Sequence, residues 1–214
     1  MTSISDEGTS PPESDSLEQA DRLARAGSSI AAVARYRELL AGDPAHVEAR
    51  LRLARLLERL GDGEEAVAVL SQGIGRDPDQ VALTLERGIA LTGLRRYEEA
   101  EADLRRALRL DPSGGAEIAL GLLAWHRGLT TDAVAHFRRA LERGPEHARV
   151  YGYLADALNQ AGDYQGAHRA LEQALALDPR NGKAHHLMGR ILDRLGRPED
   201  AREAYRRARD LGDR

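Results

Sequence analysis

The sequence predicts an all-α protein built from about six tandem helix-turn-helix units, and three observations indicate this fold. Proline follows aspartate, or once glycine, at intervals of 34, 34, 33 and 34 residues, at Pro44, Pro78, Pro112, Pro145 and Pro179. One position holds alanine in all six units, at Ala32, Ala66, Ala100, Ala133, Ala167 and Ala201. Apolar residues recur between these marks at the three-to-four-residue spacing of a helix. A fixed period of this size indicates stacked helical hairpins that each depend on their neighbours for burial.

Within each unit, the first helix carries a small residue and the second helix carries a bulky one. The small column contains Ala20, Ala54, Gly88, Gly121, Ala155 and Gly189. The bulky column contains Tyr36, Leu70, Leu104, Phe137, Leu171 and Tyr205. Because no side chain larger than a methyl group stands in the small column, we expect the helices to cross most closely there.

The turn inside each unit and the end of the second helix are also marked. Glycine closes the first helix at Gly27, Gly61, Gly128, Gly162 and Gly196, which fits a left-handed helix cap. Arg95 occupies this position in the third unit, so we expect its turn to be the least ideal of the six. The Asp-Pro pairs end the second helices, because the residue before proline disfavours the helical conformation.

These columns resemble the tetratricopeptide repeat family, whose 34-residue units have small, small and aromatic landmarks. The resemblance implies a right-handed superhelical solenoid whose first helices line a concave groove. The predicted repeats are about 13–46, 47–80, 81–113, 114–147, 148–181 and 182–214. The sequence departs from the family at the position where a repeat opens on a tryptophan-like ring. Tyr151 and His185 keep a ring there, and the other four repeats have Ser16, Arg50, Thr84 and Glu117.

The predicted domain organisation is a flexible acidic tail over residues 1–12 and a single solenoid domain over residues 13–214. Arg209 stands in the last repeat where earlier repeats have leucine or isoleucine, so we expect repeat six to form its own polar cap and complete the array. The N-terminus lacks the basic and apolar regions of a secretory signal, and no apolar run reaches the length of a membrane span. We therefore expect a cytoplasmic protein.

Composition argues against several functional classes. The 42% of hydrophobic residues excludes a wholly disordered chain, and a net charge of −4 argues against a dedicated nucleic-acid binder. The chain has no cysteine, and its seven histidines lack the HExxH spacing of a zinc site. No glycine-rich phosphate loop and no supported nucleophile, base and acid set is present, so we expect no enzyme activity, no cofactor and no metal.

Carrying the family's groove positions over to this chain predicts a lining with an apolar middle and arginine-rich flanks. Repeats five and six alone contribute Arg149, Tyr153, Asp156, Asn159, Gln160, Lys183, His186, Arg190 and Arg194. The predicted partner-binding residues are Arg52, Arg55, Ile89, Leu122, Trp125, Tyr153, Asn159, Arg190 and Arg194. An apolar centre ringed by arginine and tyrosine is typical of a binding hot spot. The alternative is that Ile89 and Leu122 pack against neighbouring helices and that Trp125 fills a gap.

The resulting functional prediction is a non-catalytic scaffold or adaptor that binds a partner peptide or protein segment in the concave groove. Two alternatives stay open: a structural subunit of a larger complex or homo-oligomer, and a regulatory partner of an enzyme or transcription factor. Some family members hold a chaperone's terminal carboxylate with lysine and asparagine side chains. This chain has a single lysine, Lys183, so that motif fails as written.

Overall fold

The computed structural model describes residues 13–144 and 147–212, with side chains from Ser16 onward. The tail 1–12 and Pro145 lie outside the described residues. The described part contains twelve α-helices and no strand: α1 (Glu13–Arg25), α2 (Ser29–Gly42), α3 (Val47–Leu60), α4 (Gly63–Arg76), α5 (Val81–Gly93), α6 (Tyr97–Leu110), α7 (Gly114–His126), α8 (Thr130–Arg143), α9 (Ala148–Gln160), α10 (Tyr164–Leu177), α11 (Gly182–Arg194) and α12 (Pro198–Asp210). Each predicted repeat contains two consecutive helices, and its first helix begins at its first residue. The predicted all-α repeat solenoid is confirmed.

The turns between paired helices have the predicted backbone geometry. Their glycines have φ values between 71° and 91°, in the left-handed region that favours glycine. Arg95 has a φ of 60° and is the one non-glycine residue with positive φ in the described ranges. The expectation that this turn is the least ideal is therefore confirmed.

The small and bulky columns contact each other in repeats four and six. A Cβ atom added to Gly121 would lie 2.6 Å from the ring of Phe137, and one added to Gly189 would lie 2.6 Å from the ring of Tyr205. The alanine column is fully buried, with at most 1% exposure at any of its six members. Close approach of two helices therefore depends on the absence of a methyl group at the crossing points in repeats four and six.

At the opening position, buried polar groups join the two helices of a repeat. The Arg50 guanidinium donates to the backbone oxygens of Val69 and Pro44, at 2.8 and 2.7 Å. The buried Glu117 carboxylate accepts from Arg143 at 2.8 Å and from Arg139 at 3.3 Å. These contacts satisfy polar groups where the family pattern has an aromatic ring, because a buried charge is tolerated only when it is paired.

Contacts within the chain group it into two compact units, Met1–Leu94 and Arg95–Arg214, so the single-domain prediction stays a prediction. Unit 1 contains α1 to α5, with Leu53, Leu57 and Leu70 fully buried in its core. Unit 2 contains α6 to α12, and its core includes Phe137 and Leu171. Among the helices of the described ranges, none combines the length and the apolar character needed to cross a membrane.

Candidate functional site

The surface formed by the first helices is best compared at one recurring pair of positions, which we call the junction pair. Its first member directly follows the small-column residue of one repeat, as Asp21 follows Ala20. Its second member precedes the small-column residue of the next repeat by two positions, as Arg52 precedes Ala54. In unit 1 the junction pairs are Asp21 with Arg52 and Arg55 with Glu86. In unit 2 they are Leu122 with Tyr153 and Asp156 with Leu187.

The first junction pair of unit 1 is a closed ionic contact. The Asp21 carboxylate is buried, forms an ion pair with Arg52 and accepts a hydrogen bond from the Tyr36 hydroxyl at 2.6 Å. Arg52 also donates to Glu48 at 2.6 Å, one turn earlier on α3. The guanidinium of Arg52 therefore has two carboxylate partners within its own unit.

The second junction pair of unit 1 is a bidentate contact. Arg55 donates to both carboxylate oxygens of Glu86, each at 2.7 Å, and Glu86 is buried. The hydrogen bonds to Glu86 raise the pKa of Arg55 above its usual value. Charge-assisted fork contacts of this kind are stronger than neutral hydrogen bonds and fix the geometry of both side chains.

In unit 2 the junction pair of Leu122 and Tyr153 is apolar and lines a cleft. The cleft has a volume of about 640 Å³ and is also lined by Ile118, Val150 and Arg149. The ring of Tyr153 stacks on Phe137 with centroids 5.6 Å apart, so it is anchored from the core side. The structure therefore places an apolar surface at Leu122 and Tyr153.

A second cleft of about 480 Å³ adjoins the first and lies between α9 and α11. Arg149 and Tyr153 line both clefts. Lys183 and Arg190 stand on the α11 side, seven residues or about two turns apart. No described carboxylate forms an ion pair with Arg149 or Lys183, whereas Arg52 and Arg55 at the junctions of unit 1 each pair with a carboxylate.

The floor of this second cleft holds one carboxylate and one glycine. Burial raises the pKa of Asp156, and the nearby Arg190 partly opposes this shift. The residue at the other end of its junction pair is Leu187, so Asp156 lacks the arginine that Asp21 has. A Cβ atom added to Gly152, in the middle of α9, would have no atom within 4 Å. Gly152 therefore leaves open space in the cleft.

The structure brings together only some of the predicted partner-binding residues. Leu122, Tyr153 and Arg190 line the two clefts of unit 2. Trp125 is partly buried against the core of unit 2, and Asn159 is partly buried in the last turn of α9. These two residues do not line either cleft.

The other four predicted residues lie elsewhere. Arg194 donates to the Tyr164 hydroxyl at 3.2 Å, with its guanidinium carbon 5.7 Å from the centre of that ring. Ile89 is 40% exposed on α5 of unit 1. Arg52 and Arg55 form the ionic junctions described above. Sequence reasoning placed these arginines on the groove-lining helices but did not predict their pairing with Asp21 and Glu86, although the oppositely charged pairs recur at one register.

Sequence reasoning also missed Gly152, whose only signal is a glycine inside a helix where the other repeats have larger side chains. Within the described ranges, no group of three or more histidine, aspartate or glutamate residues is arranged to hold a metal ion. The chemistry that the site offers is therefore apolar contact combined with cation and carboxylate contacts.

Comparison with known proteins identifies the family. A family model described as the cilia and flagella-associated protein 70 C-terminal domain, a tetratricopeptide repeat domain, matches residues 4–214. The chain belongs to this tetratricopeptide repeat family. A curated relative, tetratricopeptide repeat protein 36 from Homo sapiens, is 34% identical over 108 residues, or 49% of this chain. The alignment spans 57% of that relative, somewhat over half of its length.

Two solved structures show how widely this tetratricopeptide repeat fold is shared. A tetratricopeptide repeat protein from Parabacteroides merdae ATCC 43184 has a TM-score of 0.74 and 21% identity, covering 96% of this chain and 81% of that protein. YrrB, described as a TPR protein with an unusual peptide-binding site, has a TM-score of 0.61 and 18% identity, covering 83% of this chain and 92% of YrrB. At these identities the likeness establishes the fold.

Proposed function

We propose that this tetratricopeptide repeat protein is a non-catalytic interaction scaffold that binds a segment of a partner protein on the first helices of repeats four to six. One observation supports this proposal above all others. The two adjoining clefts of unit 2 join an apolar surface at Leu122 to the cations of Arg149 and Lys183, which pair with no carboxylate in the described ranges. An apolar centre beside accessible charge is the arrangement that gives binding sites both affinity and orientation.

The proposal favours unit 2 over unit 1 because of where the charges are already used. A partner carboxylate that approached Arg55 would have to displace Glu86, which would then be left buried without its cation. Leaving a buried carboxylate unpaired is unfavourable, so this exchange opposes binding. Lys183 and Arg149 form no ion pair with any carboxylate that the structure describes, so they accept a ligand carboxylate without that loss.

The proposed apolar anchor is a stripe along α7. Ile118, Leu122 and Trp125 are spaced four and three residues apart, so they lie on one face of the helix. Ile118 and Leu122 line the first cleft, and Trp125 lies one turn farther along the same stripe. Asn159 and Arg194 are proposed as contacts at the edge of this surface, and the exposed Ile89 as a separate apolar contact in unit 1.

The comparisons support the general class of this function. YrrB is described by its title as having a peptide-binding site, and it shares the fold of this chain. The family and the fold are those of interaction modules, which supports a role without catalysis. The net charge of −4 supports a protein rather than a nucleic acid as the partner.

The proposal is tested by affinity capture with the full chain as bait, in lysate from its own cells, followed by mass spectrometry. Leu122→Ala and Trp125→Ala are expected to lose partners that the unchanged chain retains. Leu60→Ala removes a leucine that is 46% exposed on α3 and serves as the matched control. Circular dichroism and thermal melting establish that each variant remains folded.

Two results would contradict the proposal. The first is that the Leu122→Ala and Trp125→Ala variants keep normal helicity and melting and still capture the same partners. The second is a mass that rises with protein concentration in light scattering while no partner segment binds, which would favour the assembly-subunit alternative.

A further inference from the structure

We infer that the ligand of the two clefts is an acidic peptide segment that carries an apolar side chain next to its carboxylates. This inference rests on the proposed function and specifies the chemistry of the partner. It depends on the order of side chains along the clefts and on the open space above Gly152.

The charged residues of the second cleft favour an anion. Arg149 on α9 and Lys183 and Arg190 on α11 give three permanent cations against the single carboxylate of Asp156. His186 also lines this cleft, and its ring lies edge-on to Tyr205 with centroids 5.4 Å apart. Complementary charge at a binding surface selects the partner and raises the rate of encounter.

The helical spacing places these groups on two facing stripes. Arg149, Tyr153 and Asp156 are four and three residues apart on α9, so they share one face of that helix. Lys183 and Arg190 are two turns apart on α11, a distance of about 10 Å along the helix axis. A segment lying between the stripes meets one cation on the α9 side and two on the α11 side.

The apolar end of the surface favours a peptide over a nucleic acid. Arg149 lines both clefts, and the apolar side of the first cleft is formed by Ile118, Leu122 and Tyr153. The exposed Asp178 and His147 also line this first cleft. Aliphatic side chains of this kind fit a leucine or similar residue, and Tyr153 is already stacked on Phe137. The carboxylate of Asp156 on the cleft floor also opposes a continuous phosphate backbone.

Gly152 offers a direct probe of the site. Its Cβ would enter open space, so a larger residue there projects into the cleft without a clash inside the fold. Replacing a glycine in the middle of a helix also improves helix propensity. Gly75, near the end of α4 in unit 1, likewise has no atom within 4 Å of an added Cβ and is the matched control.

The experiment measures fluorescence anisotropy of labelled synthetic peptide pools with the full chain. Both pools have the same length and one leucine; one carries four randomly placed glutamates and the other carries four lysines. We expect the acidic pool to bind at least about tenfold more tightly at low ionic strength and to weaken as salt is added. Gly152→Glu should abolish this preference, Gly152→Lys should retain it, and Gly75→Glu should leave it unchanged.

Several outcomes would overturn the inference. They are equal binding of the two pools, failure of both pools to bind, tighter binding of a labelled single-stranded oligonucleotide, or equal losses in Gly152→Glu and Gly152→Lys. The proposed function is separable from this result. If Gly152→Glu abolishes capture of cellular partners while the acidic pool does not bind, the scaffold proposal stands and the acidic ligand is rejected.

Discussion

The first helices of unit 1 and unit 2 use the same repeat positions for different purposes. In unit 1 both junction pairs are ionic: Asp21 holds Arg52, and Arg55 holds Glu86. In unit 2 one junction pair is apolar and the other leaves Asp156 opposite Leu187. Charges that neutralise one another stabilise a stack, whereas charges without an internal partner remain available to a ligand. A groove position is therefore informative about binding only together with its neighbour in the next repeat.

The largest expected difference in stability between the units appears when the arginine that directly follows the small-column residue is replaced by alanine. Arg55→Ala leaves the buried Glu86 carboxylate without its bidentate partner, and we expect the free energy of unfolding to fall by about 1–3 kcal/mol. Arg190→Ala, at the equivalent position of repeat six, removes an exposed side chain and should change stability by less than about 0.5 kcal/mol. Urea denaturation of the two variants measures this contrast, and equal losses would contradict it.

Smaller effects on the free energy of unfolding, of opposite sign in the two units, are expected when Asp21 and Asp156 are each replaced by asparagine. Asp21→Asn weakens the contacts with Arg52 and Tyr36 and should lower the free energy of unfolding by about 1 kcal/mol. Asp156→Asn removes a carboxylate that burial disfavours and should raise the free energy of unfolding at neutral pH, as urea denaturation measures.

The pH dependence of stability tests the explanation given for Asp156. Because the pKa of Asp156 is raised in the folded state, the folded chain retains its proton at a pH where the unfolded chain has lost it. Ionised Asp156 therefore destabilises the fold increasingly as pH rises from the unfolded value toward the raised one, and the loss is complete above it. The stabilisation by Asp156→Asn should disappear at a pH below both values. Thermal melts across this range measure it, and an effect that persists in acid would contradict this explanation.

The smallest expected effect concerns the turns between the two helices of a repeat. Gly27 and Gly61 close these turns in repeats one and two, and Arg95, the first residue of unit 2, takes their position in repeat three. Arg95→Gly relieves a side chain held at a φ of 60° and should raise the free energy of unfolding by about 0.5–1 kcal/mol. Gly61→Ala, with a φ of 91° in the original chain, should lower it by a similar amount. Melting temperatures of the two variants that shift in the same direction would contradict this assignment.

The sequence was sufficient to predict the fold because repetition multiplies a weak local signal. A single small residue such as Gly121 predicts little, but six small residues in register predict where helices cross. The start of every first helix followed from the proline spacing. The candidate site was less predictable, because Arg55 and Glu86 lie 31 residues apart and their pairing depends on how neighbouring helices align. The openness of the cleft at Gly152 likewise depends on atoms contributed by two separate helices.

The contact between Gly121 and Phe137 has a consequence for how such a chain can diverge. The ring occupies the volume that a methyl group would need, so glycine on one helix and the aromatic plug on its neighbour form a single steric unit. At the equivalent positions, repeat five has Ala155 and Leu171, and both side chains are fully buried. Exchange of one member alone is expected to produce a clash or a void, while exchange of both together preserves the fit. We therefore expect the two residues of each such pair, sixteen positions apart, to change together during evolution rather than one at a time.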